Sequence, residues 1–388
     1  MGIRQKLKFR KNDLLRRYVC FPENSIHRRF LKIIRCKEYV GKRERIVTDL
    51  MKDQIIKLQS WVVSAASVVG KREHDGPIGN CFTLYDATGE DKFGKDTWEK
   101  AESEMQRLAL KQALEDSSLE ESDIGAMFAG DLLNQCVGSA YGLLEFDIPY
   151  FGLYGACSTA AEGIMLASAM TSYGIFDRCA AVTSSHYCSA ERQYRTPIEY
   201  GGQRPPTAQW TVTGSGAFII GGENVGDGQK GIKITEAMPG IVVEKGITDA
   251  NNMGAAMAPA TAHTLLRYFS EGRSVEEVDL IVTGDLGYEG GAILCDIMEA
   301  EGVDIRSRYN DCGMMIYSRN VQDTHAGGSG CGCSATVMAS YLLPKVASGE
   351  IKRLIFLGTG AMMSPDSIKQ GSAIPAVAHL VRFEHSGE

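Results

Sequence analysis

The residues able to do chemistry gather in three places. Cys157 lies in GACSTA, where a strand-like run gives way to a helix of small residues. A glycine turn of this kind sets the cysteine at or near a helix N-terminus, where the helix dipole and free backbone N–H groups favour thiolate over thiol. His186, in TSSHY, and His325, just before the glycine run AGGSG, are the imidazoles that could serve such a nucleophile as a base. For each, a hydrogen-bonded structural histidine is the alternative. Arg192, Arg195 and Arg204 crowd AERQYRTPIEYGGQRP together with Tyr200 and Gln203. Arginine forks match planar carboxylates in a bidentate way, so this loop could clamp a small dianion; arginines salt-bridged within an interface loop are the other reading.

The elements that must position these groups show themselves as an internal echo. SSLEESDIGAMFAGDLL (117–133) returns as RSVEEVDLIVTGDLG (273–287), each an acidic turn, an apolar strand and then Gly-Asp-Leu. GACSTAAEGIMLASAM (155–170) returns as GCGCSATVMASYLL (330–343), and each leads to a further strand. Two matched echoes in the same order predict an α/β chain of two similar βαβαβ-type halves, over 51–225 and 226–388. The boundary falls where GGENVGDGQKG breaks all periodicity.

Charge divides the chain differently. Residues 1–50 carry fifteen basic against five acidic residues, while the rest of the chain carries a net −17. An acidic body argues against nucleic acid as the partner. The basic extension reads as a poorly ordered tail, or as sequence ahead of a true start near Met51; the sharper alternative is an arm for anionic lipid. No long apolar h-region marks a standard secretory signal. Phe151 to Phe176 holds a single charge, Glu162, but Gly, Ser and Thr interrupt it throughout, so it reads as a helix buried in a core and not as a membrane span. Eleven irregularly spaced cysteines without a CxxC pair fit a reducing compartment, and neither metal nor cofactor is expected.

A duplicated α/β chain with GACSTA before one buried helix and GGSGCGCSA before its equivalent resembles the thiolase superfamily, over about residues 57–384. More narrowly, GDLLNQ, TSSHY, AERQYRTPIEYGGQRP, GITDANNMGAAMAPA, NDCGMMIY and AGGSGCGCSA resemble the stage V sporulation protein AD family. The resemblance implies a five-layered αβαβα thiolase-like fold. It places Cys157 at the nucleophile position, with its own N–H and the Gly358–Gly360 turn shaping an oxyanion hole. The positions of the condensing-enzyme His and Asn then read Asn310-Asp311-Cys312 and Gly330-Cys331-Gly332, so the catalytic set is incomplete.

The implied function is binding without turnover. The ligand would be dipicolinic acid or its calcium chelate, and the partners the SpoVA membrane proteins that load it into the developing spore. The protein would sit in the forespore or spore, peripheral at the inner membrane, and a homodimer through first-half strands is the further implied partner. Arg192, Arg195, Gln203 and Arg204, with Cys157, His186, His325 and the glycine backbone at Gly328, Gly358 and Gly360, would line the pocket. An active Cys157-dependent acyltransferase or condensing enzyme is the alternative.

Overall fold

Side chains along a strand point alternately to two faces, and here both faces are apolar, so each sheet has to be covered twice. The structure is a computed structural model that describes residues 54–194, 204–226, 231–270 and 272–387. The basic N-terminal extension, Arg195, Tyr200 and Gln203 lie outside the described residues. By compactness the chain divides into residues 1–51 and 52–388, and every element below belongs to the second unit.

Ten strands carry the architecture. The first five are β1 (Ile56–Val69), β2 (Ala126–Gly130), β3 (Tyr150–Leu153), β4 (Arg178–Ser185) and β5 (Gly214–Gly222). The second five are β6 (Gly231–Met238), β7 (Leu280–Thr283), β8 (Tyr309–Asp311), β9 (Arg353–Ala361) and β10 (Ala376–Ser386). Their spatial order is β3-β2-β4-β5-β1 and β8-β7-β9-β10-β6, the same 3-2-4-5-1 order in each half. Pairing sense repeats as well: the first three neighbours are parallel, and the fifth strand runs antiparallel to both of its neighbours. β1 and β6 then pair antiparallel, Trp61 opposite Lys233, and join the halves into one sheet of eleven strands once the short strand Leu84–Tyr85 is included.

Alternation assigns the layers. In β4, Cys179 and Ala181 face one core while Ala180 and Val182 face another; in β9, Leu354 and Phe356 separate from Ile355 and Leu357 in the same way. The outer face of the first half is covered by α1 (Trp98–Ser117), followed by the short α2 (Val137–Gly142). Between the halves lies α3 (Thr159–Ser172), which touches β1, β2, β4 and β5 as well as β9 and β10. After β4 comes α4 (Tyr187–Tyr194). The second half is covered outside by α5 (Met253–Phe269) and α6 (Gly287–Ala300); α7 (Cys312–Ile316) leads to α8 (Cys331–Val337), which packs on α3 and completes the middle layer. Helix, sheet, helix, sheet, helix make the five layers of an αβαβα fold. The stretch around Glu162 is thus the central helix, whose Ala160, Ala161, Gly163 and Ala167 are small enough to let the two halves of the sheet approach it. Among the described residues no helix is long and apolar enough to cross a membrane.

Candidate functional site

Cys157 sits where the two halves meet. β3 ends at Leu153, and a single 3₁₀ turn, Ala156–Ser158, leads into α3. Gly155 N donates to Thr159 Oγ1 at 3.2 Å, and Ser158 Oγ returns a bond of 2.7 Å to the Gly155 carbonyl. Within this turn Ala156 holds φ +53°, a left-handed conformation that costs a non-glycine residue about 1 kcal/mol. Cys157, next in the turn, lines a cavity of about 450 Å³. Its first-half lining includes Leu132, Asn134, Tyr154, Ala190 and Glu191; the second half adds Met253, Ser329, Ala361–Pro365 and Ser367. Tyr154 and Asn134 are bonded to each other at 3.1 Å.

The group facing the thiol is a carboxyl. Asp285 stands two residues past the end of β7, with its carboxyl beside the Cys157 thiol. Its own position is fixed from several sides: Thr359 Oγ1 donates to Oδ1 at 2.8 Å, while Gly330 N and Ser329 Oγ donate to Oδ2 at 2.9 and 3.2 Å. Gln209 Nε2 donates to the Asp285 carbonyl at 2.7 Å and to that of Gly328 at 2.8 Å. Burial, with the Asp285 charge beside it, pushes the Cys157 thiol well above its ordinary value, and burial raises Asp285 too. The expectation of a helix-stabilised thiolate is therefore corrected. Desolvation and the neighbouring carboxyl outweigh the dipole, whose effect fades within one turn.

A second correction concerns the strand end that faces the thiol. It belongs to β7 and not to β8, so the position assigned to Asn310-Asp311-Cys312 is held by Gly284-Asp285. Asp311 is instead a buried cap, accepting from Thr283 Oγ1 at 2.6 Å, Leu286 N at 2.8 Å and Gly287 N at 3.0 Å. The Gly330-Cys331-Gly332 turn does lie at the site, through Gly330 N and through Cys331, which packs with Cys157, Leu132 and Ala190.

The histidines stand elsewhere. His186 is fully buried; its Nδ1 accepts from Cys188 N at 3.2 Å and its Nε2 lies 2.7 Å from the Asp91 carbonyl. Burial lowers its pKa to about 4, so it is a neutral structural imidazole that does not line the cavity. His325 bonds the Pro205 carbonyl at 2.9 Å and pairs with Asp323, likewise outside the lining.

The two described arginines are also engaged at other sites. Arg192 pairs with Glu99 and stacks over Trp98, and Arg204 binds Asp323 and stacks on Trp210. Gly358 and Gly360 press on the Cys157 turn without lining the cavity: a Cβ on Gly360 would lie 2.6 Å from the Gly155 carbonyl oxygen, and one on Gly358 2.5 Å from Ala161 Cβ. Gly328 is buried beside Cys333.

Sequence reasoning missed Asp285, Ser329, Glu191 and the wall of Met362–Pro365 and Ser367. Asp285 had a signal, since it lies in the Gly-Asp-Leu echo. Its first-half counterpart Asp131 is equally buried, but is spent on Leu133 N and Ser139.

Comparisons with known proteins follow the same lines. Solved structures with this fold include an OleA variant of Xanthomonas campestris, 13% identical with a TM-score of 0.53, covering 84% of this chain and 98% of that one. Another is 3-oxoacyl-(acyl carrier protein) synthase III, FabH, of Xanthomonas oryzae, 14% identical with a TM-score of 0.51, covering 84% and 99%. At these identities they share the thiolase-like fold alone. Stage V sporulation protein AD of Bacillus subtilis is 42% identical over 338 residues, covering 85% of this chain and 97% of that protein. The family model of stage V sporulation protein AD matches residues 52–384. The chain belongs to the stage V sporulation protein AD family.

Proposed function

We propose that this sporulation protein uses its thiolase-type pocket to bind a small ligand and does not turn over an acyl substrate. The observation that carries the reading is the Cys157–Asp285 pair. A nucleophilic thiol needs a base or a lowered pKa, and here the thiol is raised by burial and by a carboxyl where an imidazole would be needed. No histidine lines the cavity among the described residues.

The ligand proposed is dipicolinic acid, as its calcium chelate in preference to the free dianion. A flat aromatic ring suits a cavity lined by Leu132, Tyr154, Met253 and Met363. Glu191 is the single charged group among the described lining residues, which favours a ligand whose charge is already neutralised. The protein would hand this ligand to, or receive it from, the SpoVA membrane proteins at the spore inner membrane. Pairing of two copies through the edge strand β3 is part of the same proposal, supported by the exposure of Tyr150 and Phe151.

One feature favours the acyltransferase reading: Cys157 keeps a nucleophile's place, at a strained turn before a helix and open to the cavity. Incubation with acyl-CoA and acyl-carrier donors, followed by intact-protein mass spectrometry, separates the two. Unchanged mass is expected. A stable acyl adduct that disappears in Cys157→Ala would replace binding by catalysis.

A further inference from the structure

Along α5, about 15 Å beyond Met253 of the cavity wall, stand His263 and Arg267, four positions apart and so neighbours on the helix surface. Neither lines the cavity. The segment that follows β6 runs past them and is stitched to the start of β10. Gly240 N donates to His379 Nδ1 at 3.1 Å, Val243 and Ala376 exchange two backbone bonds of 2.8 Å, and Ile374 N donates to the Ile247 carbonyl at 2.7 Å. Lys245 is exposed on the loop between those anchors, beside Gly246 at φ +80°.

The described residues do not satisfy the polar atoms of this cluster. Arg267 Nη1 donates to the Pro239 carbonyl at 3.4 Å and Nη2 to Gln54 Oε1, but its buried Nε has no partner, and neither has the buried Nδ1 of His263. The acid next to Lys245, Glu244, is turned to its own loop and accepts from Gly246 N. Burial first, then the charges of Arg267 and Lys245, hold the His263 imidazole below its ordinary range, and no carboxylate is among the charges that shift it. Three basic groups thus gather on a body whose net charge is −17. Repulsion and unpaired polar atoms both disfavour that arrangement until an anion enters it.

The donors that remain indicate the kind of anion. Both terminal nitrogens of the Arg267 guanidinium are engaged, so the two-pronged edge that matches a planar carboxylate is spent. What is left is one N–H of Arg267, one imidazole nitrogen and one ammonium, supplied by a helix and by the loop that passes it. Separate single donors suit a tetrahedral oxyanion, whose oxygens point in several directions. We propose that Lys245, His263 and Arg267 bind a phosphoryl group, that of a soluble phosphate compound or of a lipid headgroup, at a site distinct from the Cys157 cavity. The inference goes beyond the proposed pocket function, and no cavity ligand enters its test.

The probe is inorganic phosphate, titrated into the full chain at fixed pH and at an ionic strength held constant with sodium chloride. Histidine ring signals in NMR are the readout, because the basic residues 1–50 would also attract phosphate and only a signal from the site separates the two. Loss of one signal in His263→Gln identifies it. That signal should move saturably at millimolar phosphate while those of His74 and His385 stay in place. Lys245→Gln and Arg267→Gln should each weaken the binding by about tenfold. Lys245→Glu, which brings a carboxylate to the site, should abolish it, and this exposed position carries the decision if Arg267→Gln does not fold. A His263 signal that phosphate does not move, that sodium chloride moves equally, or that still responds in Lys245→Glu overturns the proposal. Cosedimentation with phosphatidylglycerol vesicles, against phosphatidylcholine vesicles, then sorts the source. Weaker sedimentation of Lys245→Glu than of wild type supports a lipid headgroup, and equal sedimentation supports a soluble phosphate compound.

Discussion

At the scale of single residues, the function turns on what stands opposite Cys157. Sequence placed the cysteine correctly at a strand-to-helix turn but misjudged its chemistry, because the helix terminus is visible in GACST while the carboxyl that opposes it comes from 128 residues further on. The arginines were misplaced for a related reason. A side chain's partner is not written beside it, and Arg192 and Arg204 are taken by Glu99, Asp323 and two tryptophans. If Asp285 suppresses the thiolate, removing its charge should release it. Asp285→Asn is expected to raise the alkylation rate of Cys157 by iodoacetamide at pH 8 by about tenfold, equivalent to one pKa unit. Mass spectrometry of the Cys157 peptide over time measures this, and an unchanged rate would show that burial alone governs the thiol. Asp285→Ala would also leave Gly330 N and Ser329 Oγ without an acceptor and should cost about 1–3 kcal/mol in denaturant unfolding.

Elements were more legible than contacts. The echo in the sequence correctly announced two like halves, since strand, tight turn and small-residue helix recur in order, and both halves show the same 3-2-4-5-1 sheet. Which strand end would face Cys157 was not legible, because β7 and β8 both finish in short acidic turns and only the sheet order, in which β9 packs against β7 and leaves β8 at the edge, selects β7. That packing depends on bare backbone at Gly360, which lies against the turn before Cys157. Gly360→Ala would force its methyl to within 2.6 Å of the Gly155 carbonyl, an overpacking that should lower stability by about 1–3 kcal/mol. Chemical denaturation followed by circular dichroism is the check, and a midpoint equal to wild type would mean that the turn yields freely.

Over the whole molecule, buried acids set the response to pH. Glu102, Glu73 and Asp311 are raised by burial to about 8, 7 and 7, from ordinary values of 4.5, 4.5 and 3.8. Between those limits the unfolded chain has released protons that the folded chain keeps. The contribution of these three groups is therefore full below about pH 4 and is lost as pH rises toward 8. Above the range where the buried histidines oppose it, melting curves should show Tm decreasing by several degrees from pH 6.5 to 8.5. Glu73→Gln, which retains the Tyr317 partner and removes one titrating group, should flatten the slope. A Tm that rises over this interval would contradict the assignment of these protons.

These scales meet in the claim that a condensing-enzyme architecture serves here as a receptor, with Cys157 as wall and not as nucleophile. The most direct measurement is titration calorimetry of calcium dipicolinate into the wild-type protein and into Cys157→Ala. Saturable binding by both is the predicted result, with affinities within about threefold of each other, because a wall residue contributes contact and little else. Absence of heat at millimolar ligand in the wild type, or binding that vanishes with the thiol, would contradict the account.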